Sequence, residues 1–497
     1  MKTIITLAIL ILVTPYSAAL AQEEKKVDQA WLDRVSALPP NEQAKAVAEK
    51  LQELNFKQPA KYTFRANGDQ LVEFIFSGNG VFDITPLAAL KHVQKLHFGG
   101  TEPTSVTDKD RVKDLSALKG LPIVDLNLSW CDVKDLAPLK GMQLMQINCS
   151  NCPVQTLAPL AGMPLGAVDC SKTKIDTLEP LKGAKLVGLN CSFTKVSDLT
   201  PIAGAPLKEL YATDSEVKDL TPLKGMPLNR VDFWNTPLAD LTPLQGSDLK
   251  QLSIGKTKVK DLTALAELKL IYLACGSTTI NDLSPLKGMP LKKLYADGAP
   301  IADLKPLQGM ALIELSVYNT RVADLSPLAG MPLGRLNVAG TKATDLSPLA
   351  GMRCTEFYVA GAPVTSIAAI KDMSIQKLDL TGTKVVDLKP LASMKVTQLS
   401  VFKTPVKSVA PLKDTQIDWL ELSETAVSDL SPLQRRTFRY LGINKTGVKD
   451  YAVLRNMTIE SLVCPIRTKA DVAALKGMKG LLYLNGKDAG ELLKTLK

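Results

Sequence analysis

Histidine is almost absent from this 497-residue sequence, which contains only His92 and His97. Histidine titrates near neutral pH and is the commonest metal ligand, so its scarcity disfavours histidine-based catalysis and multi-histidine metal sites. The sequence also has no serine–histidine–aspartate order, P-loop or G-x-G-x-x-G motif. We therefore predict a non-enzymatic protein without catalytic residues, cofactor or metal, and interpret His97 as an ordinary surface residue.

Long apolar runs are missing beyond the first residues. Residues 4–13 ("IITLAILILV") follow Lys2 and precede the small residues 19–21, a pattern that predicts an export signal cleaved after Ala21. The run is about half of the ~20 residues that a membrane span needs, so an uncleaved anchor is the weaker alternative. No cysteine follows the cleavage site. We expect a secreted or periplasmic, extracytoplasmic protein with no transmembrane span.

Charge and length limit the remaining classes. The formal charge is +10, and Lys2 is the only charged residue of the predicted signal, so the mature chain keeps a dilute positive charge. Such a charge favours solubility and weak attraction to an anionic envelope over nucleic-acid binding. A single core stops growing at roughly 250–300 residues. The chain must therefore form several domains or a repeat array.

The sequence repeats itself at a fixed interval. "DLSPLKGMPLKKLYADGAPIA" begins at Asp282, and "DLSPLAGMPLGRLNVAGTKAT" begins two repeats later at Asp324. The corresponding anchor residue recurs every 21 residues, at Asp114, Asp135, Thr156, Thr177, Asp198, Asp219, Asp240, Asp261, Asp282, Asp303, Asp324, Asp345, Ser366, Asp387, Ser408, Asp429, Asp450 and Asp471. A strict period of this length with a leucine pattern predicts a solenoid.

Each unit divides into a strand and a return. Residues 290–300 carry L-x-x-L-x-L, in which the last two apolar side chains point the same way on a short strand. Residues 301–310 space their apolar side chains by three, as in a 3₁₀ turn. Asp303 suits the cap of that turn and Pro306 suits its start. Because serine and threonine, which also cap, replace aspartate at some anchors, we interpret the anchors as caps rather than as catalytic carboxylates.

These units predict an α/β repeat solenoid of about 20 parallel strands with short 3₁₀ or turn returns. At ~4.8 Å per strand, the strands would form an arc of roughly 90–100 Å. The predicted domains are a signal peptide (1–21), an N-terminal helical cap and hairpin (22–70), the solenoid (71–484, with an inserted loop at 102–113) and a C-terminal cap helix (485–497). Covers are expected because an end unit would otherwise expose its core.

The pattern L-x-x-L-x-L-x-x-T-x-V-x-D-L-x-P-L resembles that of bacterial secreted leucine-rich-repeat proteins of the internalin-like class. The resemblance covers about residues 71–484 and implies surfaces for protein recognition, without fixing the partner. The period is one residue shorter than that class usually shows. The ninth place is mostly threonine where the class has an asparagine that bonds the next turn, so we expect threonine to make a weaker version of that bond. These threonines are Thr173, Thr194, Thr236, Thr257, Thr320, Thr383, Thr404 and Thr425.

The cysteines follow the same period. A C-x-x-C at Cys149 and Cys152 invites a metal or redox interpretation, but all eight cysteines occupy core-facing columns, where cysteine acts as a small apolar residue. We predict buried free thiols and leave disulfides between adjacent units as the alternative. Zinc is disfavoured because no second Cys/His pair has the usual spacing.

The outward strand positions attract aromatic residues. With each unit numbered from its first leucine, positions 3, 5 and 7 face outward and hold nine of the sixteen aromatics after Asp114, where chance would place two or three. Cross-strand ladders of strand-favouring side chains are one explanation. A concave protein- or peptide-binding face is the other, because aromatics and arginine dominate interface energies. The candidate residues are Tyr211, Arg230, Trp234, Tyr272, Tyr295, Tyr318, Arg335, Tyr358, Phe402, Trp419 and Tyr440.

Charged residues separate the remaining hypotheses. The third position carries both signs, which argues against a nucleic-acid track and suits a protein, a peptide or a glycan stacked on the aromatic row. Lysine recurs on the return side, for example at Lys224, Lys287 and Lys413. The alternative function is therefore an envelope-associated scaffold that is attached electrostatically through a lysine-rich convex face.

Overall fold

The computed structural model describes residues 27–55, 61–101 and 111–496. The predicted signal peptide, its cleavage site and most of the predicted inserted loop lie outside these residues. The chain divides into two compact units, unit 1 up to Glu216 and unit 2 from Val217.

Unit 1 begins with two helices, α1 (Gln29–Ser36) and α2 (Pro40–Asn55). Asp28 caps α1 by accepting a bond from the Trp31 backbone N–H at 2.7 Å. Val47 and Leu51 on α2 are buried, and both helices pack on the first turn of the repeat array. The helices therefore cover the apolar end that the first repeat would otherwise expose.

The strands of unit 1 start with an antiparallel hairpin and continue as a parallel stack. The strands are β1 (Tyr62–Asn67), β2 (Gln70–Phe76), β3 (Lys95–His97), β4 (Asp125–Asn127), β5 (Gln146–Asn148), β6 (Ala167–Asp169), β7 (Gly188–Asn190) and β8 (Glu209–Tyr211). The 3₁₀ turns between them are Thr85–Ala89, Ser116–Leu118, Ala137–Leu139, Ala158–Leu160, Glu179–Leu181 and Thr200–Ile202.

Unit 2 repeats the same design and ends in a short antiparallel pair, β21 with β22. Its strands are β9 (Arg230–Asp232), β10 (Gln251–Ser253), β11 (Tyr272–Ala274), β12 (Lys293–Tyr295), β13 (Glu314–Ser316), β14 (Arg335–Asn337), β15 (Glu356–Tyr358), β16 (Lys377–Asp379), β17 (Gln398–Ser400), β18 (Trp419–Glu421), β19 (Thr437–Gly442), β20 (Thr458–Val463), β21 (Tyr483–Leu484) and β22 (Lys487–Asp488). Its helices are α3 (Lys469–Lys476) and α4 (Ala489–Thr495).

The 3₁₀ turns of unit 2 connect these strands. They are Thr221–Leu223, Thr242–Leu244, Thr263–Leu265, Ser284–Leu286, Lys305–Leu307, Ser326–Leu328, Ser347–Leu349, Ala368–Ile370, Lys389–Leu391, Ala410–Leu412, Ser431–Leu433 and Ala452–Asn456. Regular strand pairs join residues 21 apart, as Lys293 with Glu314 and Leu294 with Leu315. Parallel pairing, short 3₁₀ returns and N-terminal helices confirm the predicted leucine-rich-repeat solenoid.

The assigned phase of the repeat is correct. Leu291, Leu294 and Ala296 are fully buried, whereas Tyr295 between them is only partly buried. All eight cysteines are buried and free, as predicted. Desolvation raises the pKa of the Cys275 thiol to about 12, so this thiol stays protonated at neutral pH.

The anchor residues cap the 3₁₀ turns through a bond that spans two residues. The carboxylate of Asp303 accepts from the backbone N–H of Lys305, the first residue of its turn, at 2.8 Å. The Thr156 hydroxyl accepts the equivalent bond at 3.1 Å, and the Ser366 hydroxyl accepts it at 3.2 Å. Asp471 is the exception, because it lies inside α3 and accepts from the Thr468 N–H in a capping box.

The threonine column bonds differently from the expectation. Each of the eight threonines donates its hydroxyl to the carbonyl three residues earlier in its own turn, as Thr320 does to Val317 at 2.7 Å. The expected bond to the next turn is therefore wrong for threonine, whose hydroxyl lies within reach of its own strand end. The residue before it has a left-handed backbone, with φ of 55° at Asn319. The hydroxyl thus holds a tight turn closed.

Acidification should weaken the caps. Bonds from the Thr242 hydroxyl and then from its N–H lower the pKa of Asp240, and Thr263 does the same for Asp261. A carboxylate with a lowered folded-state pKa stabilises the fold above its unfolded pKa of about 4, and this contribution is lost as pH falls through the folded-state value. We expect Asp240→Asn/Asp261→Asn, which keeps the accepting oxygen, to flatten the fall of the thermal midpoint below pH ~4.

The matched variant Asp240→Ala/Asp261→Ala removes the acceptor as well. Its thermal midpoint should already be lower at pH ~7, because the cap itself is missing. An asparagine variant whose midpoint falls with acid as steeply as that of the wild type would contradict the capping assignment.

The buried threonine hydroxyls should each contribute measurably. Thr320→Val keeps the shape and removes the donor to the Val317 carbonyl, which should reduce the free energy of unfolding by roughly 1–3 kcal/mol. Thr320→Ser keeps the donor and should lose less. Urea midpoints, compared at equal m-value, measure the difference. A valine variant as stable as the serine variant would show that the bond contributes nothing.

Candidate functional site

The outward strand face consists of the side chains at positions 3, 5 and 7 of each 21-residue repeat, numbered from the first leucine of the repeat. In a typical strand, such as Lys293–Tyr295, the central leucine is buried and both flanking residues remain partly exposed. Position 7 lies just past the strand, where the chain enters the left-handed turn. Most repeats therefore offer outward side chains at these positions on a regularly repeated backbone, although some, such as Ser253, Ala274 and Ser316 at position 5, are buried.

The structure distributes the eleven predicted site residues unevenly. Tyr211 lies in unit 1, on β8, and its hydroxyl donates to Glu209 at 3.2 Å. The other ten lie in unit 2. Tyr318 is the most exposed aromatic of the predicted set, at 49%, and its backbone N–H donates to Asp297 at 2.8 Å.

Several of the predicted aromatics contact one another. The rings of Tyr272 and Tyr295 are 5.7 Å apart and tilted by 51°. Trp419 and Tyr440 stack at 4.7 Å with an angle of 13° between their planes. The Tyr440 hydroxyl donates to Glu421 at 2.6 Å. Cross-strand pairing, the structural explanation considered for these residues, thus accounts for part of the pattern.

A charge ladder runs across five consecutive strands of unit 2. In-register pairing places side by side Lys293, Glu314, Arg335, Glu356 and Lys377. Their signs alternate, and adjacent groups pair: Lys293 with Glu314 at 2.6 Å, Arg335 with Glu356 at 3.7 Å and Lys377 with Glu356 at 2.9 Å. The predicted mixture of charges is therefore an ordered alternation, and these charges already have partners.

Tyrosines complete the ladder. The Tyr295 hydroxyl donates to Glu314, and the Tyr358 hydroxyl donates to Glu356 at 3.0 Å. The Arg335 guanidinium lies 5.4 Å from the Tyr358 ring centre. Burial first, and then the bond to Glu314, raise the pKa of Tyr295, so its phenol stays neutral. These contacts fix the aromatic rings before any partner binds.

Sequence reasoning missed a groove on the outward face of unit 1. This amide groove has a volume of about 310 Å³. At position 3 it is lined by Asp125 and Gln146 and then, on the next two strands, by the small residues Ala167 and Gly188. Position 5 lines it with a polar row, Asn127, Asn148, Asp169 and Asn190. The signal was visible as an Asn-x-Ser or Asp-x-Ser recurring every 21 residues beside those small residues.

The two ends of the amide groove differ. At one end, His97 Nε2 lies 2.9 Å from Asp125 Oδ1, and both side chains are about one quarter exposed. At the other end lies the ring of Tyr211. His97, interpreted from the sequence as an ordinary surface residue, is thus a partly buried, hydrogen-bonded group.

Among the described residues, no group of three or more histidine, cysteine, aspartate or glutamate side chains is arranged to hold a metal ion. No helix in the described part of the chain has the length and apolar character needed to cross a bilayer.

Comparison with known proteins supports the fold. No family model and no curated protein matches the chain. An internalin (inlF) of Listeria monocytogenes is 22% identical over 65% of this chain and 97% of its own, with a TM-score of 0.53. A chain of the Drosophila Toll–Spatzle complex is 12% identical over 84% of this chain and 72% of its own, with a TM-score of 0.54. At these identities the likeness shows a shared leucine-rich-repeat fold alone.

The charge ladder should be visible in the titration of Glu314. The bond from Lys293, followed by that from Tyr295, lowers the pKa of Glu314. Lys293→Met should therefore raise this pKa toward the ordinary glutamate value of about 4.3, as measured by NMR of carboxyl-labelled protein. Lys292→Met changes a neighbouring lysine whose amine bonds Ala311 instead, so an equal rise there would contradict the pairing.

Proposed function

We propose that this chain is a non-enzymatic, extracytoplasmic recognition protein that binds a protein or peptide on the outward strand face of unit 2. The observation that carries the proposal is the aromatic set on that face, with Tyr318 half-exposed and Tyr272, Tyr295 and Tyr358 partly exposed. Tyrosine, tryptophan and arginine are the residues that most often dominate interface energies.

The available area fits an ordinary interface. A large aromatic side chain buries ~150–250 Å² when it is covered, so four or five of these rings approach the ~800 Å² that one partner contributes to a standard interface. The ladder contacts already order Tyr295 and Tyr358. Binding therefore costs less side-chain entropy than it would on a mobile surface.

The alternating charges support a polypeptide partner over a nucleic acid. A phosphate backbone needs clustered lysine and arginine, whereas each positive group of the charge ladder, Lys293, Arg335 and Lys377, pairs with a glutamate. A protein partner can meet the exposed rings with apolar side chains and exchange hydrogen bonds with the rim of the ladder.

Localisation and organisation belong to the same proposal. Export through the signal at 1–21 with cleavage after Ala21 would place the mature chain in the periplasm or outside the cell. The N-terminal cap (22–70), the solenoid (71–484 with its inserted loop) and the closing helix (485–497) would then form one recognition module. The internalin-like sequence pattern supports this arrangement.

The experiment is affinity capture, in which the immobilised mature chain, from Gln22 onward, is incubated with a cell-surface extract. Any partner identified is then measured against the purified variant Tyr295→Ala/Tyr318→Ala/Tyr358→Ala. Loss of three ring contacts should weaken binding at least tenfold, since a loss of ~1.4 kcal/mol suffices for that change. Phe193→Ala is the control, an equally exposed aromatic in unit 1 that lies outside this face.

Two outcomes would overturn the proposal. Unchanged affinity of the triple variant, with its thermal midpoint preserved, would show that the aromatic face is not the contact surface. Binding to envelope fragments that is abolished by salt and untouched by the triple variant would instead indicate the lysine-rich return side as an attachment surface.

A further inference from the structure

The amide groove of unit 1 has the dimensions of a small-molecule site. The third-position side chains shrink to Ala167 and Gly188 on two consecutive strands, between Gln146 and Glu209. Three strand steps of ~4.8 Å separate those larger neighbours by roughly 14 Å. A gap of this width with a volume of about 310 Å³ reaches the lower end of the usual ligand-pocket range.

The backbone fixes which atoms the asparagines present to the groove. The Oδ1 atoms of Asn127, Asn148 and Asn190 accept the backbone N–H two residues later, at 3.0, 2.9 and 3.1 Å. The opposite end of each amide, the Nδ2 donor, remains for a ligand. Parallel strands repeat this arrangement, so the donors form a row with a strand's spacing.

Asp169 places an acceptor within that row. Its Oδ1 accepts both the N–H of Ser171 at 3.0 Å and the Ser171 hydroxyl at 2.7 Å. The second carboxylate oxygen is thus the acceptor offered to a ligand. Along position 5 the groove therefore presents two donors, one charged acceptor, a further donor and then the Tyr211 ring.

This order of groups selects against charged ligands. An anion would face the Asp169 carboxylate, and no lysine or arginine is among the described residues that line the groove. A cation would find one carboxylate in the row, Asp169, because Asp125 is already bonded to His97 at 2.9 Å, and it would face the positive ends of three side-chain amides around it. A hydroxyl group donates and accepts at once, so neighbouring hydroxyls of one ligand satisfy amide donors and a carboxylate together.

We propose that the amide groove binds a neutral carbohydrate, a hexose or short oligosaccharide. Its hydroxyls would bond the position-5 row, and an apolar face of the ring would pack on Tyr211. This site differs in location and ligand class from the aromatic face of unit 2, and it does not rest on the function proposed for that face.

The test uses the whole mature chain and a defined set of probes. Maltose, cellobiose, lactose and chitobiose serve as neutral sugars, and phosphate and arginine methyl ester serve as charged probes. Saturation-transfer NMR detects binding, and calorimetry measures affinity. We expect at least one neutral sugar to bind and neither charged probe to compete with it.

Two variants locate the site. Gly188→Gln fills the gap with the side chain already present at Gln146. A Cβ added at Gly188 meets no atom within 4 Å, so we expect the fold to tolerate the change. We expect this variant to lose sugar binding. Asp169→Asn keeps the bond to the Ser171 N–H and should weaken binding about tenfold, the effect of one charged hydrogen bond. Gly334→Gln, the same change at a glycine outside the groove, should bind as the wild type does.

Three results would overturn the inference. The first is that no neutral sugar binds, either from this set or on a broad glycan array. The others are that only the charged probes bind, or that sugar binding persists in Gly188→Gln. The triple tyrosine variant of unit 2 separates the two proposals. If that variant binds sugar normally, the groove stands whatever happens to the protein partner. If it loses the sugar, the ligand lies on the aromatic row and the groove is the wrong site.

Discussion

In-register parallel pairing at an offset of 21 residues is the constraint on which both units depend. Each strand is only three residues long in most repeats, far too short to be stable alone. Stability comes from the buried columns that adjacent turns stack against one another, such as Leu294 beside Leu315. A slip of one residue within a strand would turn its leucine outward, whereas a longer return is tolerated, since Leu96 still pairs with Leu126 and both stay buried.

The same register converts sequence order into surface chemistry. Residues 21 apart lie side by side on adjacent strands. Residues at the same position of successive repeats therefore form a continuous row on the surface. In unit 2 such a row is the charge ladder, in which Glu314, paired with Lys293, holds Tyr295 and Glu356, paired with Arg335, holds Tyr358. In unit 1 the equivalent row shrinks at Ala167 and Gly188 and opens the amide groove. One backbone thus carries two surfaces of different chemistry.

The repeat, its phase, the buried cysteines and the capping anchors could be predicted from the sequence. Each of these features follows from which residues recur at one position of the 21-residue period. Sequence reasoning did not reach features that depend on two columns at once, such as the groove beneath Asn148 and Asp169. The threonine bond was misassigned because its acceptor depends on the left-handed residue before it, Asn319 in one turn, a conformation that the glycines and asparagines of that column indicate but that was not considered. At Asp471 the period continues but a local capping box with Thr468 forms a helix instead.

The self-contained turn has a consequence for how such chains change length. Because Thr320 bonds the carbonyl of its own turn, and Asp303 likewise caps a turn next to it in sequence, these polar groups need no partner from a neighbour. After duplication or deletion of 21 codons, the repeats on either side of the change would still stack their buried apolar residues. The threonine and aspartate groups would also keep their hydrogen-bond partners. An architecture of this kind can lengthen or shorten its recognition surface in whole steps, by recombination rather than by gradual redesign.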